Sequence, residues 1–470
     1  MATQATLDAS FTGELIRPGE ERYDEARSLF NGAIDRRPAL IARCANTADV
    51  QAALAYARAE GLQVAVRGGG HSTAGHSCVD DGVVIDVGPI KHAEIDVEAR
   101  TGRFGAGMNW GELDAATQEH GLAVPGGRVT HTGVAGLTLG SGSGWLDRKH
   151  GATCESLIGA EVVTASGEVV RASETTGENE ELLWGLRGGG GNFGVVTEFE
   201  FDLVEAGPMV HVALVFWGLD QGREVLRLAR EVMATLPLDL NIIIAGMNSP
   251  PAPFVPEEHH GRPGYAFVVV GFGSGEAHAA LLDGIRSQLP PVWEFASPMP
   301  YVALQQMLDE ANAWGFHNYE KGTYLEELTD EAIEVIVEHL PRKASPLSLV
   351  LLYRLDGAYS EVPDDATAFS GGRSPRYSVF NIAVCPVPEL LTADRAWVRA
   401  LWEDLHPHAP RFGTYVNSIT EVAEDRVRSA FGPEKYERLA AIKATYDPGN
   451  VFRRNPNITP ARPGEVVAAP

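Results

Sequence analysis

Apolar positions along this chain repeat with two periods, and the switches between them mark its elements. Val50, Leu54 and Ala57 fall at helical spacing behind Asn46-Thr47, and Gly61 follows. That pattern predicts a helix with an Asn N-cap and a glycine just past its end. Residues 62–67 then alternate as a strand, and 83–87 and 103–106 predict two more. Residues 110–120 read as a helix closed by Gly121. Residues 157–163 and 168–171 read as a hairpin turning at Ser166-Gly167, and 195–203 as a further strand. Before this pattern begins the chain is polar, with a short helical stretch near 23–30.

Beyond about Ala206 the glycines thin out and the texture changes. Residues 210–217, 240–245, 266–272, 347–354 and 377–384 predict antiparallel strands, with helices at 221–236 and 330–340 between them. Residues 248–263 hold five prolines and predict a surface excursion. The stretch from 414 to 458 predicts a strand, a helix and a tail. The fold class is therefore α+β, divided as 1–207, 208–410 and 411–470.

Composition narrows the function classes. The 470 residues carry a net charge of −25, with 44% hydrophobic and 21% charged residues. An acidic surface of this kind repels nucleic acid and anionic membranes, so neither is expected as a partner. Cys44, Cys78, Cys154 and Cys385 form no C-x-x-C pair and no zinc spacing. Residues 1–18 lack the basic and apolar regions of a signal peptide. No apolar run approaches the ~20 residues that span a bilayer. The expectation is a cytoplasmic protein, monomeric or homodimeric, acting on a small molecule.

Three glycine tracts carry the chemistry. The first is Arg67-Gly68-Gly69-Gly70-His71-Ser72, with Gly75 and His76 just after it. The second runs from Pro125-Gly126 through Val129, Thr132, Gly133 and Gly136 to Gly140 and Gly142. The third runs from Gly188 to Gly194 and enters the strand holding Val196. Glycine-rich backbone suits a phosphate or pyrophosphate. Neither a Walker A loop nor a Rossmann fingerprint is present: Gly105-Ala106-Gly107 reaches Gly111 one residue too late. Three tracts, each against a predicted strand, suggest one long ligand wrapped by several loops, and FAD fits that description.

These segments, with Asn192-Phe193-Gly194-Val195-Val196-Thr197 and Tyr446-Asp447-Pro448-x-Asn450-x-Phe452, resemble the berberine bridge enzyme-like oxidases of the vanillyl-alcohol oxidase/p-cresol methylhydroxylase flavoprotein superfamily. The likeness spans about residues 33–458. It implies a two-subdomain p-cresol methylhydroxylase-type FAD-binding domain with its core in 33–207. A substrate domain whose antiparallel sheet is covered by helices follows, and the C-terminal segment returns to the FAD domain. It also implies that Arg67–Ser72, Gly75, His76, Pro125, Gly126, Val129, Thr132, Gly133, Gly136, Gly140, Gly142, Gly194, Val196, Tyr415 and Asn417 surround the cofactor. His71 stands where the family bonds the 8α-methyl carbon of FAD. Val129 stands where many members have a second, cysteinyl bond, so no cysteinyl bond is expected. Cys154 matches no flavin-bonding position and is read as a structural thiol.

The family removes hydride from a carbon bearing OH or NH, and dioxygen reoxidises the flavin to give hydrogen peroxide. The tyrosine that many members use as base is replaced by Ser418 in Tyr415-Val416-Asn417-Ser418. Tyr319, Lys321, Tyr377 and Ser418 are therefore the candidate catalytic groups, with Ser360 at a place where some relatives hold a glutamate. Trp314, Phe316 and His317 suggest an aromatic wall. A dehydrogenase using another electron acceptor, an oxidative cyclase of secondary metabolism and a flavin-binding protein with little catalysis remain alternatives.

Overall fold

The computed structural model describes residues 7, 9–409, 415, 417 and 424–462. Asn46 caps the helix Thr47–Ala59 by accepting from the Asp49 N–H at 3.0 Å. The buried Asp49 carboxylate in turn accepts from Thr12, Gly13 and Ala45 at 2.8 to 2.9 Å. This pins the N-terminal strand to the start of the helix.

Strands β1 (Glu14–Ile16), β2 (Leu40–Arg43), β3 (Val64–Arg67) and β4 (Val83–Asp86) form one sheet in the order β1-β2-β4-β3. β4 is parallel to both of its neighbours and buried along its length. Its continuous apolar run suits that two-sided burial. A second sheet is antiparallel throughout. Its strands are β5 (Ala93–Asp96), β6 (Thr101–Gly105), β8 (Leu157–Val163), β9 (Val169–Ser173) and β10 (Val195–Asp202), in the order β5-β6-β10-β8-β9. The short β7 (Leu122–Ala123) and β11 (Val204–Glu205) pair with each other.

The third sheet is larger and wholly antiparallel. It comprises β12 (Met209–Gly218), β13 (Leu240–Asn248), β14 (Pro263–Gly271), β15 (Trp293–Pro300), β16 (His317–Leu325), β17 (Leu349–Leu355) and β18 (Arg376–Cys385). The order is β15-β12-β14-β13-β17-β18-β16. Residues of one parity, such as Trp217, Ile242, Phe267, Tyr319, Leu352 and Val379, pack under helices that include Gly222–Ala234, Asp330–His339 and Pro388–Leu405. The other parity looks back toward residues 123–146, where Val212, Ile243 and Val270 meet Trp145 and Leu146. Strand alternation thus decides which side chains can reach the space between the sheets.

Three elements differ from the sequence expectation. β15 carries Pro298 and Pro300, which argue against a strand in sequence but are tolerated because β15 is an edge. The excursion at 248–263 folds back on the sheet, with Phe254 against Phe295 at 4.6 Å between ring centres. The C-terminal part holds two helices, Glu424–Phe431 and Pro433–Tyr446, because Gly432 at φ +76° and Pro433 at the next helix start interrupt one. The strand expected around 415–418 lies largely outside the described residues.

The motif after Tyr446 is a latch. Lys443 Nζ lies 2.7 Å from Asp447, and neither side chain is exposed. The ammonium also donates to the carbonyls of Asn192 and Phe452 at 2.7 and 2.9 Å. Asp447 accepts from the Val451 and Phe452 N–H groups. The third glycine tract is thereby bound to the C-terminal segment. Removing one member of such a pair strands the other charge in the core, which typically costs about 3–5 kcal/mol. Lys443→Met should therefore lower the denaturant midpoint by a corresponding amount, while the surface pair change Arg227→Met should leave it nearly unchanged.

Candidate active site

Two glycine loops cross without side chains. A Cβ on Gly69 would overlap the Gly133 peptide, and one on Gly133 would overlap Gly69. Only glycine at both positions lets the backbones approach this closely. The crossing brings His71 of the first loop against His131 of the second, with Nε2 to Nδ1 at 2.6 Å. Phe30 stacks on His71 at 4.1 Å and 14°. Trp314 closes the cluster, and its Nε1–H donates to His131 Nδ1 at 3.3 Å.

This arrangement fixes protons. An indole N–H can only donate, so His131 Nδ1 is an acceptor. His71 Nε2 faces the same nitrogen and is therefore the donor. The lone pair of the neutral His71 ring is left on Nδ1. Burial first, and then the neighbouring His131, pull the His71 pKa down to about 3, so the ring is neutral at any working pH. Burial also lowers His131, although the Asp309 charge, and then backbone hydrogen bonds at Asp309 and Asn312, oppose that shift.

A cavity of about 390 Å³ runs along the loops. Its walls include Gly68–His71, Gly133, Gly136, Gly189–Gly191, Gly194 and Asn455. At Gly136 and Gly191 a Cβ would meet nothing within 4 Å, so it would project into open space along this wall. His76 Nε2 and Asn455 Oδ1 are buried and without hydrogen-bond partners among the described residues. An elongated channel with backbone walls and waiting polar atoms fits a dinucleotide such as FAD.

A second cavity of about 240 Å³ adjoins the first and shares Val129, Glu320, Phe380 and Tyr415 with it. The face of the third sheet supplies Tyr324, Tyr353 and Phe380, while Arg128 lies 4.2 Å over the Tyr353 ring. Phe380 contacts Tyr353 and Tyr415 edge to face. Burial raises the phenol pKa of Tyr415 to about 12, against the opposing Asn417 hydrogen bond, and also raises those of Tyr353 and Tyr324.

Glu320 sits where the two cavities meet, and Thr73 Oγ1 donates to its Oε1 at 2.9 Å. Burial lifts its pKa to about 7, the Thr73 bond opposing. Beside it the buried Asn31 amide donates to the carbonyls of Thr73 and Asn318 at 2.8 and 2.9 Å and accepts from the Asn318 N–H. β16 is thus joined to the loop that carries His71.

Several expected site residues are elsewhere. Tyr319 and Lys321 share a face, as their spacing predicts, but it is the helix-covered one. Arg399 donates to Tyr319 Oη at 3.1 Å, and Lys321 lies 4.2 Å over Trp402. Tyr377 has the same parity and packs in that layer beneath Arg354. None of the three lines either cavity, so their candidacy as catalytic groups is withdrawn. Ser360 bonds its own turn at Gly357, and Ser418 lies outside the described residues.

Among the expected cofactor contacts, Gly68, Gly69, Gly70, His71, Ser72, His76, Val129, Thr132, Gly133, Gly136, Gly194, Val196, Tyr415 and Asn417 line the first cavity. Gly142 lines the second. Arg67, Gly75, Pro125, Gly126 and Gly140 line neither. Arg67 donates to the Ala26 carbonyl, Gly75 meets Ile34, Gly126 lies against Trp110 and Gly140 abuts Asn417. Their glycines answer packing needs behind the wall. Cys154 is fully buried, and burial pushes its thiol up to about 12, as befits a structural cysteine. Glu320, His131 and Asn31 were not among the expected residues. The parity opposite Tyr319 was the one available signal for Glu320.

Comparison with known proteins agrees with this architecture. Residues 38–173 match the family described as FAD binding domain, and 414–459 match the one described as berberine and berberine like. (R)-6-Hydroxynicotine oxidase of Paenarthrobacter nicotinovorans is 29% identical over 98% of this chain and 99% of its own. The crystal structure of 6-hydroxy-D-nicotine oxidase from Arthrobacter nicotinovorans superposes with a TM-score of 0.84 at 27% identity, covering 96% and 99% of the two chains. Glucooligosaccharide oxidase from Acremonium strictum, described with a 6-S-cysteinyl, 8α-N1-histidyl FAD, shares the fold at 24% identity, with a TM-score of 0.84 over 98% and 99%. With a glycine-walled channel, a neutral histidine beside it and a helix-backed sheet across from it, this chain carries an FAD-binding domain and a berberine-like C-terminal segment, and it resembles FAD-linked oxidoreductases over nearly its whole length.

Proposed function

We propose that this chain is an oxidase that carries FAD on one covalent bond, from His71, and oxidises a CH–OH or CH–NH carbon of a small molecule at the expense of dioxygen. In this reading residues 1–207 hold the cofactor, 208–410 supply the substrate wall and 411–470 return to the cofactor. The observation that carries it is the His71–His131–Trp314 array, which presents a neutral imidazole with its Nδ1 lone pair intact. Bound FAD supplies a two-electron acceptor whose electrons pass to dioxygen to give hydrogen peroxide.

The residues of the chain do the remaining work. His131 accepts from His71 Nε2 and so holds the ring in the tautomer that leaves Nδ1 able to form the bond. The glycine crossing holds the two rings in register. Val129, a cavity wall in this protein, offers no thiol for a second bond. The second cavity favours a compact, uncharged or aromatic substrate, because aromatic rings and aliphatic side chains line much of it and Arg128, Asp147 and Glu320 are its charged lining groups. The same rings exclude bulk water from the reacting carbon.

Acid-precipitated protein should retain its yellow colour, and His71→Ala should release it to the supernatant. A colourless wild-type pellet, or a flavin peptide bearing two protein bonds in mass spectrometry, would overturn the single-tether reading. His131→Ala should still bind FAD but move much of the colour from pellet to supernatant. In air, the reduced protein should reoxidise rapidly. Slow reoxidation would identify a dehydrogenase instead.

A further inference from the structure

Resting on the reading above, we infer that Glu320 is the catalytic proton acceptor, standing at the junction of the two cavities where the substrate's O–H or N–H meets the cofactor. Three placements support this. Glu320 lines both cavities, so its carboxylate borders the space for substrate and the space for cofactor. It is tied to Thr73, two residues from His71, so its distance from the tether is set by the structure. It also has the parity on β16 that faces the cavities, unlike Tyr319 and Lys321.

The other titratable groups around these cavities are committed elsewhere. Tyr324, Tyr353, Tyr359 and Tyr415 are buried phenols with raised pKa values and remain protonated. Arg128 engages Asp147 and the Tyr353 ring, and Asp147 accepts from Ser143 and Asn241 as well. Arg454 donates to the carbonyls of Gly75 and Cys78. His71 forms the tether, His131 is held against it, and His76 is kept neutral by burial. Glu320, with a pKa of about 7, can take up a proton near neutral pH and lose it again.

The step balances. The substrate carbon loses one hydrogen with both bonding electrons to the flavin, and Glu320 takes the O–H or N–H proton. The substrate is left with a C=O or C=N bond. Dioxygen then removes the two electrons with two protons, one of them regenerating the Glu320 carboxylate, and departs as hydrogen peroxide. Because the carboxylate is the working form, the rate should rise with pH through the Glu320 pKa and then level.

The test compares wild-type holoenzyme with Glu320→Gln and Glu320→Asp. Flavin content and pellet colour come first: if the wild type takes up no FAD, the proposed function fails, not this assignment. With an alcohol that bleaches the flavin anaerobically, Glu320→Gln should lower the reduction rate by ~100-fold or more. It should also abolish the rising limb centred near pH 7, which Glu320→Asp should keep in part. Without substrate, the absorbance spectrum of the bound flavin should shift with a midpoint of about 7 in the wild type, and show no such transition in Glu320→Gln. A Glu320→Gln protein that binds FAD normally and keeps either the pH limb or the spectral transition overturns the assignment. If no alcohol in the panel bleaches the flavin, the spectral titration alone decides.

Discussion

The site depends on one buried carboxamide. Asn31 holds the Thr73 carbonyl with its N–H and brackets the Asn318 peptide with both ends of its side chain. This joint reinforces the backbone bonds from Phe30 N–H to the Gly70 carbonyl and from Gly32 N–H to the Phe316 carbonyl, which run between the loop of His71 and the start of β16. With it, the residues flanking the bracket, Thr73 and Glu320, are brought into a direct hydrogen bond. An amide suits this place because it donates and accepts at once and carries no charge into a dry interface. The glycine crossing at Gly69 and Gly133 does the complementary work on the other side of His71, where no side chain could fit.

The third sheet then divides its residues by parity. On β16 and β18, odd-numbered positions such as Tyr319, Lys321, Tyr377 and Val379 lie under the helix layer. Even-numbered ones such as Glu320, Tyr324, Ser378 and Phe380 face the cavities. β16 and β18 are antiparallel, with Glu320 opposite Ile382 and Gly322 opposite Phe380. The Phe380 ring meets both Tyr353 and Tyr415 edge to face. Register therefore settles which residues of these strands face the cavities.

Much of this was legible in sequence. The glycine tracts, His71, the Asn46 cap and the main strands of the third sheet rest on local rules of backbone freedom and period two. The choice of face on β16 did not follow from those rules. Tyr319-Glu320-Lys321 is polar on both sides, so alternation alone could not say which side was inner. Only packing under Pro388–Leu405, where Arg399 and Trp402 receive Tyr319 and Lys321, decides it. His131 was hidden for a different reason. It touches His71 across sixty residues of chain, and its role depends on Trp314, a further long-range contact that no local pattern encodes. Asn31 lies in a polar stretch where nothing marks it as buried.

One physical cause, desolvation, acts on His71 and Glu320 in opposite directions. Burial removes the charged form of His71 by lowering its pKa to about 3 and weakens the charged form of Glu320 by raising its pKa to about 7. An exposed imidazole would spend part of its time protonated near neutral pH and lose its lone pair. An exposed carboxylate would be a far weaker base. Burial keeps the His71 ring neutral and makes the Glu320 carboxylate more basic. The residue that completes the logic is Thr73. Its hydroxyl favours the ionised Glu320 and limits how far burial can raise it. The carboxylate can therefore be present at neutral pH while remaining more basic than an exposed one.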